Sequence, residues 1–145
     1  PLYIKGTVKE GFFAIDDDLM LQIMVTAKKD IKNDLNTKWA DFKKYTAHPN
    51  FGKAAAMLVD GHVLVASQQV IILEYGLKKA ADRVNEFAMQ KELQSVFKCV
   101  FDKQMFIYAV DRSDSVRLQQ NYLNRMQIGK LPKLDTINIE IEVLD

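Results

Sequence analysis

Few groups in this chain could do chemistry, and their spacing decides what they can do. His48 and His62 fall in different segments, and neither has a Cys, His or Asp at the intervals a metal site requires. His48 precedes Pro49 in a joint and His62 opens an apolar run, so a surface or boundary role is expected for both. Cys99, the single cysteine, lies beside an apolar stripe, and its expected role is that of a small buried or half-buried hydrophobe. As a nucleophile it would need a partner base, and the sequence nominates none. Gly52-Lys53 echoes a phosphate-binding loop, but Ala47 stands where the first glycine belongs and Ala54 where a hydroxyl would hold magnesium. The pair therefore reads as a helix start. Asp111 and Asp114 could be imagined on a metal, yet helix capping accounts for both. Lys28-Lys29, Lys43-Lys44 and Lys78-Lys79 are expected to be solvated helix faces, since a nucleic-acid surface needs cations converging with exposed aromatics. There is no Gly-x-x-Gly loop of the kind that clamps a nucleic-acid backbone. The expectation is no catalytic residue, no metal ligand and no cofactor.

Composition sets the frame around these groups. The 145 residues suit one core, and 48% hydrophobic with 27% charged residues is a globular balance rather than a disordered one. A formal charge of +1 leaves no net field to hold the chain on a polyanion. One cysteine excludes an internal disulfide and suits a reducing, cytoplasmic compartment. No apolar run approaches the ~20 residues of a spanning helix, so no membrane partner is expected. The chain opens on Pro1 without a signal-peptide pattern, which predicts a piece of a longer polypeptide.

The elements that must position these residues follow from periodicity. Residues 1–15 read as a poorly ordered leader or short edge strand. From Asp16 the spacing of Leu19, Ile23, Ala27, Ile31 and Leu35 predicts one amphipathic helix with acidic residues at its start. Asn36-Thr37 can cap a second helix bearing Trp39, Phe42 and Tyr45, and Pro49-Asn50 starts a third that stops at Asp60-Gly61. His62–Ala66 and Val70–Tyr75 predict a hairpin. From Leu77 to Phe101 two apolar stripes, Leu77-Ala81-Val84-Ala88 and Leu93-Val96-Phe97-Val100, fall on opposite sides of one cylinder. A break near Met89–Lys91 resolves the conflict. Met105–Val110 reads as a central strand, Asp111–Ser115 as the cap of a helix ending near Gln127, and Ile137-Ile139-Ile141-Val143 as an alternating strand with one face packed. The fold class is α+β, with helices over about 16–60 followed by helices on a small mixed or antiparallel sheet over about 61–145.

Three stretches carry a resemblance: Trp39-Ala40-Asp41-Phe42, Ala55 through Val65, and Val70-Ile71-Ile72-Leu73-Glu74-Tyr75. In this order they resemble the C-terminal domain of the bacterial DNA polymerase III gamma/tau (clamp-loader) subunit, from about Asp16 onward. That resemblance implies a KH-like fold without the nucleic-acid loop and a non-catalytic role in DNA replication. It implies tethering of the loader to the DNA polymerase III α subunit, contact with the replicative helicase through an adjoining region, and assembly of the parent subunit with other clamp-loader subunits. The expected contact surface is the helix Ser115–Gln127 with the segment Ile128–Leu134. Arg117, Tyr122 and Arg125 are the expected partner-binding residues, because rigid aromatic area and guanidinium forks are enriched at binding hot spots. The rival expectation is a KH-like module that binds single-stranded nucleic acid with a steep salt dependence. On the first reading nucleic acid is not the main partner.

Overall fold

The computed structural model describes residues 2–4, 8–134 and 141–143. In chain order the elements are β1 (Leu2–Ile4), β2 (Val8–Lys9), β3 (Phe12–Phe13), α1 (Asp17–Val25), α2 (Lys29–Lys38), a 3-10 helix (Trp39–Tyr45) and α3 (Gly52–Asp60). Then come β4 (His62–Ala66), β5 (Val70–Tyr75), α4 (Lys78–Val84), a short 3-10 turn (Phe87–Met89), α5 (Gln90–Phe101), β6 (Phe106–Asp111), α6 (Arg112–Gln127) and β7 (Ile141–Val143). The fold is α+β, as expected. Its centre is a three-stranded mixed sheet in the order β4-β5-β6, antiparallel between the first two strands and parallel between the last two. Around this sheet the element order is α3-β4-β5-α4-α5-β6.

Alternation along the strands sorts the core into two halves. Ile71, Leu73, Tyr75, Ile107 and Ala109 face α3, α4, α5 and the Trp39–Tyr45 helix. Val70, Ile72, Phe106 and Val110 face the other way, onto Met20 and Ile23 of α1 and Leu118 of α6. Successive strand side chains point to opposite faces, so both faces of the sheet are covered by helices.

This division explains where the helix predicted from Leu19 to Leu35 divides. Ile23 and Leu35 are both fully buried, but in opposite halves of the core. The chain must therefore cross the sheet edge between them. It does so at Thr26, whose hydroxyl donates to the carbonyls of Gln22 and Ile23 at 3.0 and 3.1 Å and ends α1. Lys28 then turns extended and its amide donates to Ala66 O at 2.9 Å, on the outer edge of β4. Lys32 Nζ reaches Leu64 O on the same edge at 3.3 Å.

The aromatic spacing of three has a related explanation. Asn36-Thr37 caps nothing; α2 runs on into a 3-10 helix. In that helix residues three apart eclipse one another, which aligns Trp39, Phe42 and Tyr45 on one side. Trp39 Nε1 donates to Leu58 O at 2.6 Å, and the Trp39 and Phe42 rings meet edge to face at 4.9 Å.

Met105–Val110 was expected to be a central strand; β6 is instead at the edge of the sheet, and β5 is central. The apolar run is buried nonetheless, because side-chain amides close its free edge. Gln90 Oε1 accepts from Ile107 N at 3.0 Å while Gln90 Nε2 donates to Ile107 O at 2.8 Å. Asn85 repeats the pattern on Ala109, at 2.8 and 2.7 Å. Each carboxamide thus makes the two bonds of a hydrogen-bonded residue pair in an antiparallel ladder. Both side chains come from the junction between α4 and α5, which is where the two opposed stripes predicted a break. Ala81, Val84, Leu93, Val96 and Phe97 are buried as those stripes require, whereas Leu77 is 72% exposed and Ala88 is exposed.

At the chain ends, β1 and β7 pair antiparallel, with Tyr3 opposite Glu142. The alternating strand expected over 137–143 is described at Ile141–Val143; its earlier residues and its side chains lie outside the described residues. The leader contributes β1 and a β2-β3 hairpin.

Candidate protein-interaction surface

Helix α6 carries the residues singled out for partner binding. Asp111 caps its start by accepting from Asp114 N at 2.8 Å, which gives Asp111 the capping role expected of it. Its end is a Schellman turn: Gly129 lies at φ +68, its amide reaches Met126 O at 3.1 Å and the Lys130 amide reaches Arg125 O at 2.8 Å. Leu118 and Ser115 are buried and set the inward face.

Arg117 and Arg125 both face the acidic first turn of α1. Arg117 Nη1 donates to Asp17 Oδ2 at 2.6 Å and its Nη2 lies 3.7 Å from Asp114 Oδ1. Arg125 Nη2 is 4.0 Å from Asp18 Oδ1. The Asp17 hydrogen bond, with the fields of Asp17 and Asp114, holds the Arg117 guanidinium above its usual pKa. Tyr122 is half-buried. The two arginines therefore lie at the seam between α6 and α1. Arg117 and Asp17 are each about half exposed, so Arg117→Gln is expected to cost at most ~1 kcal/mol. Urea denaturation at low and high salt should show the difference shrinking as salt is added.

The outward face of α6 is of another kind. At about 100° per residue, Val116, Gln120, Leu123 and Gln127 fall within about 60° of one another, and all four are exposed. Met126, 49% exposed, flanks this stripe, whereas Ile128 at the helix end, 63% exposed, falls on the side of Arg117. From Val116 to Gln127 the stripe itself carries apolar and amide side chains, with Arg117 beside Val116 and Gln120 at its margin. The residues expected from the sequence and this stripe lie on different sides of α6. Arg and Tyr drew attention by residue type, while the stripe is visible only once Leu118 fixes which face is buried.

The remaining candidates are dispersed. His48 is exposed and its Nδ1 accepts from the amides of Asn50 and Phe51 at 3.0 and 3.2 Å, a boundary role at the start of α3. His62 is exposed on β4. Cys99, expected to be buried or half-buried, is exposed because it lies on the solvent side of α5, away from Leu93, Val96 and Phe97. Among the described residues no group of three His, Cys, Asp or Glu could hold a metal ion, and no helix is long and apolar enough to cross a membrane.

Two clefts flank α4. One, of about 390 Å³, has Lys78, Asp82, Asp111 and Asp114 at its mouth, and Lys78 Nζ binds Asp82 at 3.0 Å. Burial raises the Tyr108 phenol in its wall, whose oxygen accepts from Ile15 N at 3.3 Å. The second cleft lies between α3 and α4.

The connection between α4 and α5 is covered from within the chain. Phe13 N donates to Asn85 O and Phe87 N donates to Gly11 O, both at 2.8 Å, while Phe12 bridges to Glu86. The β2-β3 hairpin thus takes up backbone groups of the α4–α5 junction.

A scan against protein-family models found no match for this chain, and searches of curated proteins and of solved structures found none either.

Proposed function

We propose that the chain is a non-catalytic protein-interaction domain of the clamp-loader tau type, which tethers its parent subunit to the α subunit of DNA polymerase III. The observation that carries the interaction reading is the uncharged stripe Val116–Leu123–Met126 on the outward face of α6. Charge depletion with exposed apolar area is the composition of an interface centre. The identity of the partner rests on the resemblance of the Trp39, Ala55–Val65 and Val70–Tyr75 stretches to the tau C-terminal domain. Such a tether works by effective concentration, since a held polymerase rebinds without searching bulk solution.

The test is titration calorimetry of the full chain against the polymerase α subunit. Leu123→Lys is expected to lower affinity at least tenfold, about 1.4 kcal/mol, and to leave the melting temperature nearly unchanged, because the side chain is 43% exposed. Equal affinity would remove the α6 face from consideration. The second reading, a KH-like single-stranded nucleic-acid module, is favoured by the order of helices and strands around the sheet. Steeply salt-dependent binding to oligothymidylate, with no capture of the polymerase, would replace the first reading by the second.

A further inference from the structure

The cleft between α3 and α4 lies on the side of the sheet away from α6. Its volume is about 400 Å³, within the range of sites that seat a ligand of a few large groups. The floor is apolar, formed by Ala56 and Met57 of α3, Ala80 of α4 and Leu77 before it. Leu77 is 72% exposed, the most exposed large apolar side chain among the described residues. At the back, Tyr75 is buried and its hydroxyl donates to Met57 O, with burial and the field of Asp60 raising the phenol pKa. The tyrosine therefore stays neutral and fixed. A Cβ on Gly61 would stand 2.8 Å from that hydroxyl, so glycine at this turn is what lets the wall close.

Around this floor stand Lys53, Lys79 and Arg83, opposed by Asp60 alone. None of the three cations makes an ion pair among the described residues, whereas Lys78, on the other side of α4, is held by Asp82. Residues 79 and 83 are one turn apart and face the cleft together. An apolar floor under unpaired cations is complementary to an anionic, amphipathic occupant.

We infer that this groove docks an acidic peptide segment of a partner protein, with one large apolar side chain on Leu77, Met57 and Ala80 and flanking carboxylates on Lys53, Lys79 and Arg83. Nucleic acid fits less well, because Tyr75 is buried and offers no open ring for a base. The inference is independent of the α6 reading, and it would make the domain bivalent across its sheet.

The test uses a displayed library of random peptides selected on the full chain, followed by fluorescence anisotropy of representative labelled peptides. A selected class rich in Asp and Glu around one large apolar residue is expected. Its affinity should fall at least tenfold with Lys79→Glu/Arg83→Glu and at least fivefold with Leu77→Ser. It should be unaffected by Leu123→Lys, which separates this groove from the α6 face. All replaced residues are exposed, and melting curves will register any loss of fold. Selection of no acidic class, or equal binding by the charge-reversed variant, would overturn the inference. So would oligothymidylate binding that disappears in that variant.

Discussion

Replacing Gln90 by leucine should destabilise the fold by about 3 kcal/mol or more, a fall in melting temperature of roughly 10 °C. Leucine fills a similar volume, so the loss is one of hydrogen bonding rather than packing. Gln90 is fully buried, and with it go both partners of the Ile107 backbone, which then lies unsatisfied beneath α5. Gln94 Nε2, 2.8 Å from Gln90 Oε1, loses a partner as well. A buried amide or carbonyl left unpaired costs about 1–3 kcal/mol, well above the worth of the bond itself. Gln90→Glu separates the two halves of the effect. Its carboxylate can still accept from Ile107 N but cannot donate to Ile107 O, and it must be buried. Chemical denaturation followed by Trp39 fluorescence measures both. If the leucine variant lost less than ~1 kcal/mol, the amide would be dispensable and some other contact would be closing β6.

Phe42→Ala should cost about 3–5 kcal/mol. Phe42 is fully buried and lies within 4.9–6.3 Å, ring centre to ring centre, of Trp39, Phe97 and Phe101. Its removal opens a cavity where the 3-10 helix meets α5. The cavity term adds to the lost transfer energy because the surrounding rings are held in place. Trp39 is tied to Leu58 O, so the emission of the single tryptophan should shift as its edge contact is lost, even in the folded variant. With a typical domain stability of 5–15 kcal/mol, this variant is expected to be folded but marginal. Phe42→Leu, which keeps much of the volume, should lose clearly less in the same denaturation series. Equal losses would mean that the site collapses around either residue.

The parts of the fold legible in the sequence were those set by local pattern. The hairpin at Ser67–Gln69, the Asp111 cap, the Gly129 stop and the division of the 77–101 stretch each follow from residues close in sequence. The parts not legible were those set by distant partners. The stripe from Leu19 to Leu35 keeps its helical period across Thr26, and only the position of β4 requires the chain to turn there. Likewise β6 reads as a central strand because its side chains are buried on both faces. Its free edge is closed by Asn85 and Gln90, which look like ordinary polar helix residues in the sequence. On α6 the hot-spot residue types were legible and their neighbours were not, because Asp17 lies a hundred residues from Arg117.

The closure of β6 by the junction that precedes it has a consequence for how the chain reaches its native state. Strands β5 and β6 are parallel, so β6 can join the sheet only after the α4–α5 crossover has swung it back alongside β5. That crossover also carries Asn85 and Gln90. The segment that brings the strand home therefore brings its lock, and the two should form in one step rather than in succession. A chain emerging during synthesis would expose the Phe106–Asp111 edge only until that step. The interval in which it could pair with a second copy is set by one crossover and not by encounter with another protein.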